Sequence, residues 1–220
     1  MIEEHIFRPR NSRVGYIKNL ITFPTGFDPE KESLPLILFL HGAGERGDDL
    51  ERVRVHGVPK LFGADPDWHC LRVVTVSPQC PDGIWWNEIV DEVKRLTDGV
   101  IRRYRIDRDR VSVTGLSMGG FGSWELGMRY PRFLSACAPI CGGGDPERAY
   151  RLRKVPVRTY HGVDDPVIPI QRTIDMVEAL RKAGGNISVS YLPGLHHDCW
   201  TFAYEKTDLI EWLAGQRRGV

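Results

Sequence analysis

No stretch of this 220-residue sequence is apolar for the roughly 18 residues a membrane span needs; the longest run, 34–40, is strand-sized and interrupted by Pro35. An excess of charge is also missing. Thirty Lys and Arg stand against 29 Asp and Glu, a net charge of +1, with the basic residues scattered along the chain, so nothing in the overall balance attracts nucleic acid or an anionic membrane. Cysteine is scarce and odd in number. Cys70, Cys80, Cys137, Cys141 and Cys199 lack metal-site spacing and read as spectator thiols rather than a disulfide framework. The start, Met1-Ile-Glu-Glu-His, has neither the basic nor the apolar region of a secretory signal, so the expected compartment is the cytoplasm. Internal repeats, low-complexity tracts and dividing linkers are absent too, and the expectation is one domain over residues 1–220.

What is present is ordinary globular composition, 41% hydrophobic and 27% charged, which excludes a disordered or collagen-like chain. Short β-rich runs alternate with longer helical patterns, the mark of a mostly parallel sheet with helices on both faces. Strands are expected over 16–23, 36–40, 73–76, 111–114, 134–140, 157–161 and 187–192. Between them, Ile89, Val93, Leu96 and Val100 form one apolar stripe on a helix over about 87–104. A second stripe, Ile170, Ile174, Val177 and Leu180, belongs to a helix that Gly184-Gly185 should end. A last helix is expected over 206–214.

The strongest chemical signal is Gly115-Leu116-Ser117-Met118-Gly119, preceded by a strand and followed by a segment able to be helical as far as Tyr130-Pro131. A serine on a sharp strand-to-helix turn needs small residues two before and two after it, and the turn exposes its hydroxyl beside a helix N-terminus. Such a hydroxyl attacks an ester only if a base accepts its proton and a third group fixes the base's tautomer. Downstream, in the order Ser, acid, His, come Asp164-Asp165-Pro166 and His196-His197-Asp198, each just after an expected strand. Asp165 is favoured as the acid because it ends the turn before Pro166, while Asp164 suits a turn residue bonding its own backbone. His196 and His197 pose the same alternative; His197 is favoured as base, with His196 on the rim.

An acyl-transfer site also needs amides for the oxyanion. The Met118 amide follows the nucleophile, and the loop His41-Gly42-Ala43-Gly44, directly after 36–40, supplies the second donor, with Ala43 preferred and Gly44 next. Trp85 and Trp86 fall at the same sheet edge and are candidates for a substrate wall alongside Gly44.

Taken together, LFLHGAGERGDD, SPQCPDGIWWNE, RVSVTGLSMGGFGSWELGMRYP, APICGGGD, HGVDDPVIP and HHDCW resemble the phospholipase/carboxylesterase and dienelactone-hydrolase-like branch of the α/β-hydrolases, including esterases related to depolymerases and predicted peptidases. The resemblance implies an α/β-hydrolase fold without a large lid. It also implies a Ser117–His197–Asp165 triad, oxyanion amides at Ala43 and Met118, a small-molecule ester substrate, and neither cofactor nor metal. True dienelactone hydrolases carry a cysteine where this chain has Ser117, so cyclic dienelactone chemistry is not implied. The expected activity is cleavage of carboxylic esters of small to medium acyl chains. Thioester or amide hydrolysis is the alternative within that class, and a non-catalytic ligand-binding module the alternative outside it.

Overall fold

A computed structural model describes residues 1–219. Its centre is one eight-stranded sheet in the order β1-β2-β4-β3-β5-β6-β7-β8. The strands are β1 (Ile2–Phe7), β2 (Ile17–Thr22), β3 (Leu36–Leu40), β4 (Val74–Pro78), β5 (Val111–Leu116), β6 (Ala136–Ile140), β7 (Val157–Gly162) and β8 (Ile187–Leu192). β1 and β2 pair antiparallel, β2 joins β4 antiparallel, and all neighbours from β4 to β8 are parallel. The helices are α1 (Gly57–Ala64), α2 (Val90–Arg103), α3 (Met118–Arg129), α4 (Gln171–Lys182), α5 (Trp200–Glu205) and α6 (Leu209–Gly215).

The central strands are buried along their whole length, as parallel strands covered on both faces must be. Alternation divides them between two cores. Leu36, Leu38 and Leu40 of β3 face α2, α3 and α4, whereas Ile37 and Phe39 face α1, α5 and α6. Helices therefore cover both faces, as the α/β-hydrolase arrangement requires.

Several boundaries differ from expectation for identifiable reasons. Ile89 leaves helical geometry at φ −127°, so the anticipated 87–104 helix divides into a 3-10 turn, Trp86–Glu88, and α2. Gly184, at φ +76°, ends α4 as anticipated, while its neighbour Gly185 returns its amide to Leu180 O. The sequence did not signal β1, α1 or α5: β1 is a half-exposed edge strand, and the eight residues of α1 include two glycines and Pro59. No helix among the described residues is long and apolar enough to cross a membrane.

The parallel strands bring the loops after β3, β4, β5, β6, β7 and β8 to one carboxyl edge of the sheet. The segment after β6, which includes the 3-10 helix Pro146–Leu152, packs on α3 and α4 instead of forming a lid.

Candidate active site

Ser117 joins β5 to α3 with φ +53° and ψ −116°, a left-handed conformation that a side-chain-bearing residue adopts at a cost on the order of 1–3 kcal/mol. Close backbone approach explains the glycines around it. A Cβ on Gly119 would lie 1.8 Å from Leu40 O, and one on Gly115 would lie 2.5 Å from both Leu40 O and Gly119 O. β3 therefore presses against the turn, and only hydrogen fits in the gap.

The loops after β7 and β8 meet in the same way, since a Cβ on Gly162 would lie 2.2 Å from His196 O. Asp164 and His196 fasten that junction. Asp164 Oδ2 accepts from the Gly194 amide at 2.9 Å, and His196 Nδ1 lies 2.8 Å from Asp164 O. Their neighbours point the other way. Asp165 Oδ2 is 2.8 Å from His197 Nδ1, and His197 Nε2 is 3.0 Å from Ser117 Oγ. Of each adjacent pair, the site thus receives Asp165 and His197, while Asp164 and His196 hold the loops.

The Asp165 side chain is fully buried. Burial alone pushes its pKa up, but the bond to His197 and the amides of Ile168 (2.9 Å) and Val167 (2.8 Å) outweigh it and hold the carboxyl below its ordinary value. His161 adds a further contact, its Nε2 lying 3.2 Å from Asp165 Oδ2 and 3.0 Å from Ile168 O. Burial lowers the His161 pKa despite these acceptors, so the ring presents a neutral N–H rather than a second cation. This contact with the carboxylate depends on the path of the loop after β7. On the open side of His197, Trp200 packs edge-on at 5.2 Å between ring centroids.

The loop after β3 lies against this turn. A Cβ on Gly42 would sit 2.9 Å from Leu116 Cδ1, which brings the next residue, Ala43, beside the nucleophile turn. Met118 opens α3, where the first amides have no intrahelical acceptor. Among the described residues, neither the Ala43 nor the Met118 amide donates to a turn or loop carbonyl. Gly44 is exposed on the same loop.

The two tryptophans part company. Trp85 is 48% exposed and carries the Arg46 guanidinium 5.3 Å from its ring centre. Trp86, expected to share a substrate wall, is 1% exposed and donates from Nε1 to His41 O at 2.9 Å, with Gly122 against its Cβ. It is core, because the 3-10 turn rotates it inward, and it cannot line a substrate wall. The thiols of Cys80, Cys137, Cys141 and Cys199 are buried as well; burial raises the Cys80 pKa to about 12, which keeps it protonated and unreactive.

Residues 63–208 match the family model described as Phospholipase/Carboxylesterase. The chain belongs to the phospholipase/carboxylesterase family. Among solved structures, a thermostable esterase superposes with TM-score 0.89 and 30% identity over 99% of this chain and 63% of that one. The S954A mutant of the feruloyl esterase module from Clostridium thermocellum, complexed with sinapinate, superposes with TM-score 0.79 over 100% of this chain and 90% of that one; at 16% identity it shows the fold alone. Among curated proteins, the bifunctional acetylxylan esterase/xylanase XynS20E of Neocallimastix patriciarum is 30% identical over 63% of this chain and 20% of its own length. NocK of Nocardia uniformis subsp. tsuyamanensis is 26% identical over 70% of this chain. This phospholipase/carboxylesterase family chain thus spans about half, 53%, of NocK and less of XynS20E.

Proposed function

We propose that the chain is a serine esterase cleaving carboxylic esters of small to medium acyl chains, with Ser117 as nucleophile, His197 as general base and Asp165 as the residue orienting that base. The observation that carries this reading is the unbroken relay from Asp165 Oδ2 through the His197 ring to Ser117 Oγ, with steps of 2.8 and 3.0 Å. A base within hydrogen-bond reach of a hydroxyl, itself held by a buried carboxylate, is the arrangement nucleophilic acyl transfer needs. Ser117 Oγ attacks the ester carbonyl while His197 Nε2 takes its proton. The Ala43 and Met118 amides stabilise the oxyanion, His197 returns the proton to the departing alcohol, and water activated by the same ring releases the acid. The N-terminus of α3 adds a favourable field for the developing negative charge.

Exposed Trp85 with Arg46 upon it supports an aromatic or polar acyl or alcohol portion at the mouth, in keeping with the feruloyl and acetylxylan esterase names of the similar proteins. The test is intact-mass labelling with a fluorophosphonate beside hydrolysis of p-nitrophenyl esters from acetate to palmitate. A single adduct lost in Ser117→Ala, with turnover favouring the shorter esters, is the expected result. Faster cleavage of matched thioesters or anilides would replace esterase with thioesterase or amidase. Absence of both adduct and turnover would leave a non-catalytic binding module.

A further inference from the structure

Basic residues that lie far apart in the sequence converge at the sheet edge opposite Ser117. Arg108, Arg132 and Lys154 stand three or four residues before β5, β6 and β7, at the amino ends of parallel strands. With Arg151 and Arg153 they line a cleft of about 790 Å³, within the roughly 300–1,000 Å³ typical of small-ligand sites. Ser117 lies at the carboxyl end of β5, so a six-residue strand, about 20 Å, separates the two sites.

Charge compensation in the cleft is incomplete. Three further cations in its wall have carboxylate partners: Lys94 binds Asp98 at 2.6 Å, Arg129 binds Asp91 at 2.9 Å, and Arg218 binds Asp109. Asp98 is the only carboxylate in the lining among the described residues. Arg151 and Arg153 donate only to the carbonyls of Met128 and Tyr150, and neither they nor Arg108, Arg132 and Lys154 have a carboxylate partner among the described residues. Five uncompensated cations around one concavity repel one another, in a chain whose net charge is only +1. A multiply charged anion would relieve that repulsion. Arginine predominates, and its planar fork matches phosphate oxygens. Lys94 covers the rings of Phe133 and Tyr130, at 4.2 and 5.6 Å, but Tyr150 is 51% exposed and leaves an open aromatic face on the wall.

We propose that this cleft is a second binding site, for a small molecule carrying a polyphosphate group. A cleft of this volume suits a compact ligand better than a membrane surface or an extended polyanion. The experiment is calorimetric titration of the chain with pyrophosphate and with ATP, at low and at physiological salt. Saturable 1:1 binding that weakens with salt is expected. The double variant Arg132→Glu/Lys154→Glu should lose about tenfold or more in affinity while its melting temperature does not fall and its p-nitrophenyl ester turnover stays unchanged. Tighter binding of ATP than of pyrophosphate, abolished in Tyr150→Ala, would identify a nucleotide as the source of the phosphates; equal affinities would assign recognition to the phosphates alone. Either result supports the site. No binding at millimolar ligand, undiminished binding by the charge-reversed variant, or binding to anionic vesicles alone would overturn it.

Discussion

Removing the Ser117 hydroxyl tests the proposed chemistry most directly. Ser117→Ala is expected to lower kcat by about 10⁴ to 10⁶, leaving only binding and the oxyanion amides, as read by p-nitrophenyl ester turnover. Asp165→Asn should cost on the order of 10⁴ in kcat with little change in KM, because an amide at this position can turn its N–H toward Nδ1 and favour the wrong tautomer. The buried carboxylate also accepts from Val167 and Ile168, so a circular-dichroism melt must accompany the assay to separate loop damage from lost orientation. Trp85→Ala is expected to raise KM for aryl esters more than it lowers kcat, since the exposed ring is no part of the hydrogen-bonded relay. The motif order in the sequence limited the acid and base to two adjacent pairs. Within each pair the sequence favoured Asp165 and His197, and the side-chain directions agree, with Asp164 facing the Gly194 amide and Asp165 facing His197.

At the scale of elements, the site depends on the four loops after β3, β5, β7 and β8, which approach one another closely enough to exclude a Cβ. Gly119→Ala would drive a methyl group into Leu40 O, so β3 or the start of α3 must move. We expect a loss of stability of about 1–3 kcal/mol, read as a lower melting midpoint, together with a fall in kcat, because the same shift displaces the Ala43 and Met118 amides. The strand-turn-helix unit around Ser117 was legible because its constraint is local: β-rich residues, then a glycine-flanked serine, then helix formers. The elements β1, α1 and α5 were not, since an edge strand that buries little leaves only weak alternation and short helices are stabilised by the core they cover. Trp86 was misread for a related reason. Adjacent aromatics in a loop carry no period, and a single 3-10 turn sends one to solvent and the other to the core.

Acid stability is a property of the whole molecule, and two buried histidines govern part of it. His41 Nε2 accepts from the Cys80 amide at 2.9 Å and its Nδ1 faces Gly42 O at 2.6 Å, a neutral ring with both nitrogens occupied. Burial pushes its pKa down to about 4, from an ordinary value near 6.5, and burial lowers His161 as well. Between those limits the unfolded chain binds more protons than the folded one, so stability is full above about pH 6.5 and declines as pH falls toward about 4. Calorimetric melting at pH 7 and at pH 4.5 should show the drop. In His41→Phe the drop should shrink, while stability at pH 7 falls by about 1–3 kcal/mol because the Cys80 amide loses its acceptor.

The sequence by itself determined whatever rests on neighbours along the chain. It specified the sharp turn at Ser117, the apolar strands buried on both faces, the stripes of α2 and α4, and the order in which serine, acid and histidine loops reach one sheet edge. Period and local sterics act over a few residues and leave their mark in composition. The turn before Pro166 and the motif order already favoured Asp165 and His197, whereas tertiary structure alone decided that Trp86 is core and that His161 touches the acid. It also decided that cations scattered from Lys94 to Arg218 share one cleft. Those outcomes depend on where crossovers bring distant segments together, and a balanced charge total carries no trace of that convergence.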